Sequence, residues 1–179
     1  MKCAVFIISL LLPQFASADY LLGIGAANLF EKEVEADIYD INPRADYFFG
    51  VQNGKSRYVL SYQRDSVETK NGNSVINDKS QEFALWYMRD VFGKENNAWR
   101  TLVGLGIGLL WSDVYTSLGS QSVLTTTQKK LMLGASFEIG RKIYKNLWYA
   151  FDFQALHSDY FSETTTFEFS LLKLYWSWY

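Results

Sequence analysis

Hydrophobic and polar residues alternate with a period of two through most of this chain, most clearly between Trp99 and Trp111. Trp99, Thr101, Val103, Leu105, Ile107, Leu109 and Trp111 fall on one face, and Arg100, Leu102, Gly104, Gly106, Gly108 and Leu110 on the other. A side-chain period of two is that of a β-strand. Thirteen residues is long for a strand of a soluble sandwich and suits a tilted membrane crossing. The glycine face is expected to look into a narrow interior, and the tryptophans at both ends to sit at two membrane interfaces.

Six further segments show the same period. Tyr20 to Ala26 sets Leu22 and Ile24 against Gly23 and Gly25, and Tyr39 to Val51 sets Tyr47, Phe49 and Val51 against Arg44 and Asp46. Pro43 lies inside that second run; proline cannot donate to a ladder, so the strand is expected to begin after it. Arg57 to Gln63, Glu82 to Tyr87, Leu131 to Ile139 and Leu147 to Gln154 alternate in the same way. An eighth segment, Thr164 to Tyr179, changes phase: Phe167, Phe169 and Leu171 mark the odd face, whereas Leu172, Leu174, Trp176 and Trp178 mark the even one. One extra residue near Leu171, a β-bulge, would reconcile the two halves.

The connections alternate in length. Asn53 to Ser56 (with an Asn-Gly turn signal), Gly93 to Asn97 and Arg141 to Asn146 are short, whereas Phe30 to Ile38, Asp65 to Ser80, Ser112 to Gln128 and Ser158 to Glu163 are mostly longer and polar. Eight strands joined in this manner predict an all-β, eight-stranded antiparallel up-and-down transmembrane β-barrel, with short turns and both termini on the periplasmic side. A soluble lipocalin-like barrel shares the topology but buries its apolar face inward. Tryptophan and tyrosine at the strand ends favour lipid outside, with Trp99, Trp111, Trp176, Trp178 and Tyr179 as the interfacial aromatics.

Composition is compatible with this reading. Aromatic residues make up 17% of the 179 residues, yet the mean hydropathy is only −0.08. No apolar run approaches the ~20 residues that a transmembrane helix needs. Lys2, the apolar run Val5 to Leu12 and the Ala16-Ser17-Ala18 site read as a signal peptide over residues 1–18, with the barrel domain over 19–179. Cleavage would remove Cys3, the only cysteine, and leave no disulfide framework. It would also take the formal charge from −2 to −3, because Lys2 is the only charged side chain removed. The acidic balance, the single histidine and the lack of basic runs argue against nucleic acid and metal partners, and no cofactor is expected.

The glycine-alternating segments Leu22-Gly23-Ile24-Gly25 and Val103 to Gly108, with the terminal aromatic Tyr179, resemble the small outer-membrane β-barrel superfamily, which includes the OmpA transmembrane domain and the OmpX-like proteins. The resemblance covers the mature chain and implies a bacterial outer-membrane location, recognition of the last strand by the barrel-assembly machinery, and contact with outer-membrane lipids and lipopolysaccharide. It marks an architecture rather than one activity.

Charges expected to face inward are Arg57, Glu82, Arg100, Glu138 and Asp152, and in a narrow lumen they should pair. His157 with Ser158 and Glu168 loosely resembles the Ser-His-Glu triad of lipid A deacylase barrels. In those enzymes the histidine stands two residues before the serine, a position held here by Asp159. Adjacent strand residues point apart, so Ser158 is poorly placed as a nucleophile for His157 and no catalytic residues are expected. The function expected is that of a monomeric, non-enzymatic outer-membrane barrel with a filled lumen and surface loops; a deacylase-like hydrolase and a small porin are the alternatives. N-terminal sequencing of the exported protein should begin at Asp19; a first residue of Met1 would remove the cleaved-signal reading.

Overall fold

In the computed structural model the described residues are 18–33, 39–71, 74–92, 98–118, 121–158 and 164–178. The expected signal segment through residue 17, the turn at 93–97, Asp159 and Tyr179 lie outside them. Eight strands follow in order: β1 (Asp19–Glu33), β2 (Tyr39–Asn53), β3 (Ser56–Asn71), β4 (Ser74–Asp90), β5 (Trp99–Leu118), β6 (Gln121–Tyr144), β7 (Leu147–Ser158) and β8 (Thr164–Trp178). Each pairs antiparallel with its neighbours in sequence, and β1 pairs with β8, closing the barrel. Closure leaves no unpaired edge in the common wall, the condition for crossing hydrocarbon with strands.

Burial is inverted relative to a soluble barrel. Leu105 is 71% exposed and Leu133 65%, whereas Arg57 and Glu138 are each 1% exposed. The apolar face therefore looks outward and the charged one inward, as in a membrane barrel and opposite to a lipocalin.

Three features differ from the reading of the pattern. Pro43 lies within β2, opposite Asn28, and does not precede the strand. It is tolerated because β2 and β3 pair only from Ala45–Arg64 to Asn53–Ser56, so at Pro43 the strand has one ladder neighbour. The expected long connections from Asp65 to Ser80 and from Ser112 to Gln128 are mostly strand: β3–β4 pairing reaches Asn71–Ser74 and β5–β6 pairing reaches Leu118–Gln121. The apolar alternation stops before the ladder does, and the threonine- and valine-containing segments continue the pairing. The Arg141 to Asn146 turn shrinks to Lys145 and Asn146, because β6 runs to Tyr144.

Other details agree with the pattern. Gly54, with φ of 56°, takes the left-handed conformation at the first central position of the β2–β3 hairpin. Both ladders of β8 skip Leu171: Ser170 pairs with Ala27 and Asp152, and Leu172 or Lys173 resumes the pairing. The bulge exposes Leu171 and Leu172 in succession, so even residues face inward before it and Lys173 and Tyr175 face inward after it.

Inside the barrel, Trp86 is 1% exposed and its indole lies over Gly106, its cross-strand partner on β5. A Cβ at Gly106 would overlap that ring, and one at Gly134 on β6 would come within 3.0 Å of the ring's far edge. The glycines thus make room for an aromatic side chain that fills the lumen, held by a 3.2 Å hydrogen bond from Nε1 to Ser61 Oγ. Gly106→Leu should destabilise the barrel in lipid vesicles by ~1–3 kcal/mol, read from urea unfolding. Adding Trp86→Ala should recover part of that loss; strictly additive costs would show that the ring does not occupy the space above Gly106.

Candidate functional site in the barrel interior

Because strand residues alternate in direction, every second residue of each strand enters the lumen, and side chains distant in sequence meet there. Arg57 of β3 is the hub. Its Nη1 donates to Glu138 Oε1 of β6 at 2.6 Å, and its Nη2 donates to Tyr175 Oη of β8 at 3.0 Å. Nε and Nη2 both donate to Gln52 Oε1 of β2, at 3.2 and 3.1 Å. The rigid guanidinium fork is suited to this, since it presents several donors in one plane. Arg100 of β5 reaches the same Gln52 oxygen at 2.7 Å.

Lys173 of β8 extends the network, with Nζ 2.8 Å from Asp152 Oδ2 and 3.5 Å from Glu138 Oε2. Gln154 donates to the same Asp152 oxygen at 2.7 Å. Towards the extended β3–β6 end, Gln63 of β3 donates to both carboxylate oxygens of Glu168 on β8, at 2.7 and 2.6 Å. Arg44 and Asp65 pair at 3.2 Å beside the point where β2 and β3 part. Rings complete the fill: Arg100 stacks 4.2 Å above Trp148, Trp148 stacks on Tyr175, and Lys173 sits 4.4 Å above Phe48. For side chains buried this deeply, charge-assisted bonds and ring contacts offset the desolvation of the ions.

Of the five charges expected inside, Arg57, Glu82, Glu138 and Asp152 are buried, and Arg100 is half-buried with its guanidinium turned to Gln52. Lys173, Tyr175 and Gln52 belong to the same network, and Gln63 forms a separate buried pair with Glu168; none of the four was singled out by the sequence. The signal for Lys173 and Tyr175 was the phase change itself, because a bulge at Leu171 carries both inward. Among the described residues, no group of three or more His, Cys, Asp or Glu side chains is arranged to hold a metal ion.

No protein-family model and no curated protein matches the chain. Solved structures do. Neisserial surface protein A superposes with a TM-score of 0.65 at 14% identity, covering 90% of this chain and 99% of that one. Ail, the attachment invasion locus protein of Yersinia pestis, gives 0.64 at 13% identity with the same coverage, in a structure with the heparin analogue sucrose octasulfate. The outer membrane protein OprG from Pseudomonas aeruginosa gives 0.58 at 11% identity, covering 90% of this chain and 96% of that one. The chain has the fold of the small outer-membrane β-barrels.

On this small outer-membrane barrel fold the proposed triad does not assemble. His157 is exposed on the outer face of β7, opposite Leu133 and Thr165. Glu168 is buried inside, opposite Gln154 and bound by Gln63, so the barrel wall separates it from His157. The His157–Glu168 contact that the hydrolase alternative requires is therefore absent, for the reason that inward and outward faces alternate along β7 and β8. Ser158 pairs with Thr164 through its backbone, and its side chain lies outside the described residues, as does Asp159. Trp99, Trp176 and Trp178 are exposed on the barrel surface and Trp111 is half-buried; Arg141 lies 5.1 Å over Trp99 and Lys129 5.5 Å over Trp111.

The hub arginine gives a direct test of the interior. Arg57→Ala leaves Glu138 without its shortest partner in a buried setting and should destabilise the barrel by ~3–5 kcal/mol, measured by urea unfolding in vesicles. Arg57→Lys should recover only part of this, because one ammonium cannot serve Glu138, Tyr175 and Gln52 together. An Arg57→Ala barrel as stable as the parent would remove Arg57 from the centre of the network.

Proposed function

We propose that this protein is an integral barrel of the bacterial outer membrane that performs no chemistry of its own: its lumen is closed by side chains and its extended outer sheet is offered to partners at the cell surface. The observation that carries this reading is the cross-lumen network centred on Arg57, which joins β2, β3, β6 and β8 through the interior. An interior threaded by such bonds, with Trp86 and Trp148 packed beside them, leaves little room for a water-filled pore. The extended strands 65–71, 74–80, 112–118 and 121–128 supply the surface that the proposal gives to adhesion or envelope stability.

The orientation follows from the connections. The two-residue turns at Gly54–Lys55 and Lys145–Asn146 belong on the periplasmic side, and the long hairpins outside. The protein is read as a monomer, exported with a cleaved signal, folded by the barrel-assembly machinery and surrounded by outer-membrane lipid and lipopolysaccharide. The Ail complex with a heparin analogue is a property of Ail; it shows that a protein of this fold can present a surface to a polyanion.

Two measurements test the proposal together. Planar-bilayer recordings of the purified protein should show no large steady conductance, whereas large stable channels would make it a porin. A cysteine at Ser122 should react with an impermeant thiol reagent on intact cells and one at Gly54 should not; the reverse pattern would invert the topology.

A further inference from the structure

The outward face of β3–β6 changes chemistry over a single step along the strands. The register sets Tyr62, Phe83, Leu109 and Leu131 side by side as one apolar row across the four strands. The next row towards the extended sheet is Arg64, Gln81, Trp111 and Lys129, and the row after it is Ser66, Lys79, Asp113 and Thr127. Arg64, Lys79 and Lys129 are all exposed, and among the described residues none is ion-paired with a carboxylate. Asp113 stands opposite Lys79 in register and accepts a 2.7 Å hydrogen bond from Thr127.

The two lysines are held over rings. Lys129 Nζ lies 5.5 Å from the Trp111 centroid and Lys79 Nζ lies 5.1 Å from that of Tyr115. Trp111 meets Phe83 edge-on at 6.1 Å, and Phe83 meets Tyr62 at 4.8 Å, so aromatic contact runs unbroken from the apolar row into the basic one. A strand spacing of about 4.8 Å puts Arg64 and Lys129, three strands apart, about 14 Å from each other. The step from one row to the next is about 7 Å along the strand.

An occupant of this face must therefore be apolar where it lies against Tyr62 to Leu131 and anionic one step further out. Its negative charge must also be spread widely enough to meet three separate cations. We infer that β3–β6 carries a binding site for the phosphate-bearing headgroup of an outer-leaflet glycolipid, with its acyl chains lying on the Tyr62–Leu131 row. Arg64 supplies a forked phosphate donor, Lys79 and Lys129 supply point charges, and Gln81 and Trp111 supply neutral donors between them. This site rests on the orientation proposed above, which puts the extended sheet at the outer leaflet.

The test uses lipid-depleted purified protein, titrated with diphosphoryl lipid A and read by native mass spectrometry. The parent should retain the lipid. The triple variant Arg64→Gln, Lys79→Gln, Lys129→Gln should bind at least about tenfold more weakly, as the loss of three cations facing an anionic surface implies. A charge-matched variant at the opposite rim, Arg89→Gln, Arg141→Gln, Lys145→Gln, should bind like the parent. Heat-modifiable gel migration confirms that each variant is a folded barrel. Unchanged binding by the first triple, equal losses in both triples, or equal binding of dephosphorylated lipid A would each overturn the site. So would equally tight binding of sucrose octasulfate through the same three residues, which would assign the face to a soluble polyanion. A parent protein that does not insert into bilayers at all would instead overturn the outer-membrane reading on which the site depends.

Discussion

Every backbone N–H and C=O that crosses hydrocarbon must find a partner within the protein, and the pairing of β1 with β8 is what completes this requirement here. Once the ladder is a ring, each strand has one face to lipid and one to the lumen, and the inverted burial follows. The apolar residues that would build the core of a soluble barrel are spent on the outside. The interior is then filled by a smaller apolar cluster, with Trp86, Leu102 and Met132 in it, together with the buried charges Arg57, Glu138, Asp152 and Lys173.

Filling a narrow interior of mixed polarity imposes its own order. Large side chains are accommodated where the facing strand carries glycine, as Trp86 is over Gly106 and Gly134. Charges are accommodated where a counter-charge arrives from the far wall, as Glu138 does for Arg57. These contacts tie together strands that share no backbone bonds. Lumen packing thus braces the ring from within, while the ladder holds it around the circumference.

Much of this was legible in the sequence because lipid enforces a period of two. The eight strands, the inward charges and the bulge near Leu171 could be read from alternation alone. What could not be read lies where that signal stops. The segments 65–71, 74–80, 112–118 and 121–128 of β3 to β6 carry no apolar alternation and resembled loops. Pro43 looked like a strand boundary because its single ladder neighbour depends on where β3 departs. Partners across the lumen depend on register and tilt around the whole ring, so the pairing of Gln63 with Glu168 had no local signature. Glu168 illustrates the same limit: the resemblance that grouped it with His157 in the hydrolase alternative meets a wall whose two faces keep them apart.

The parting of β2 and β3 above Ala45 and Arg64 leaves the shortest ladder in the ring, ending beside the Arg44–Asp65 pair. Mechanically, a cylinder is only as resistant to shear as its weakest seam. Under lateral tension from a crowded bilayer, or under a pulling force on an outer hairpin, strain would concentrate at this ladder's outer end, where the Arg44–Asp65 pair is the rivet that takes the load. The extended sheet of β3 to β6 would then take the load as one plate, held to the rest of the ring along two seams, the β2–β3 ladder and the β6–β7 ladder.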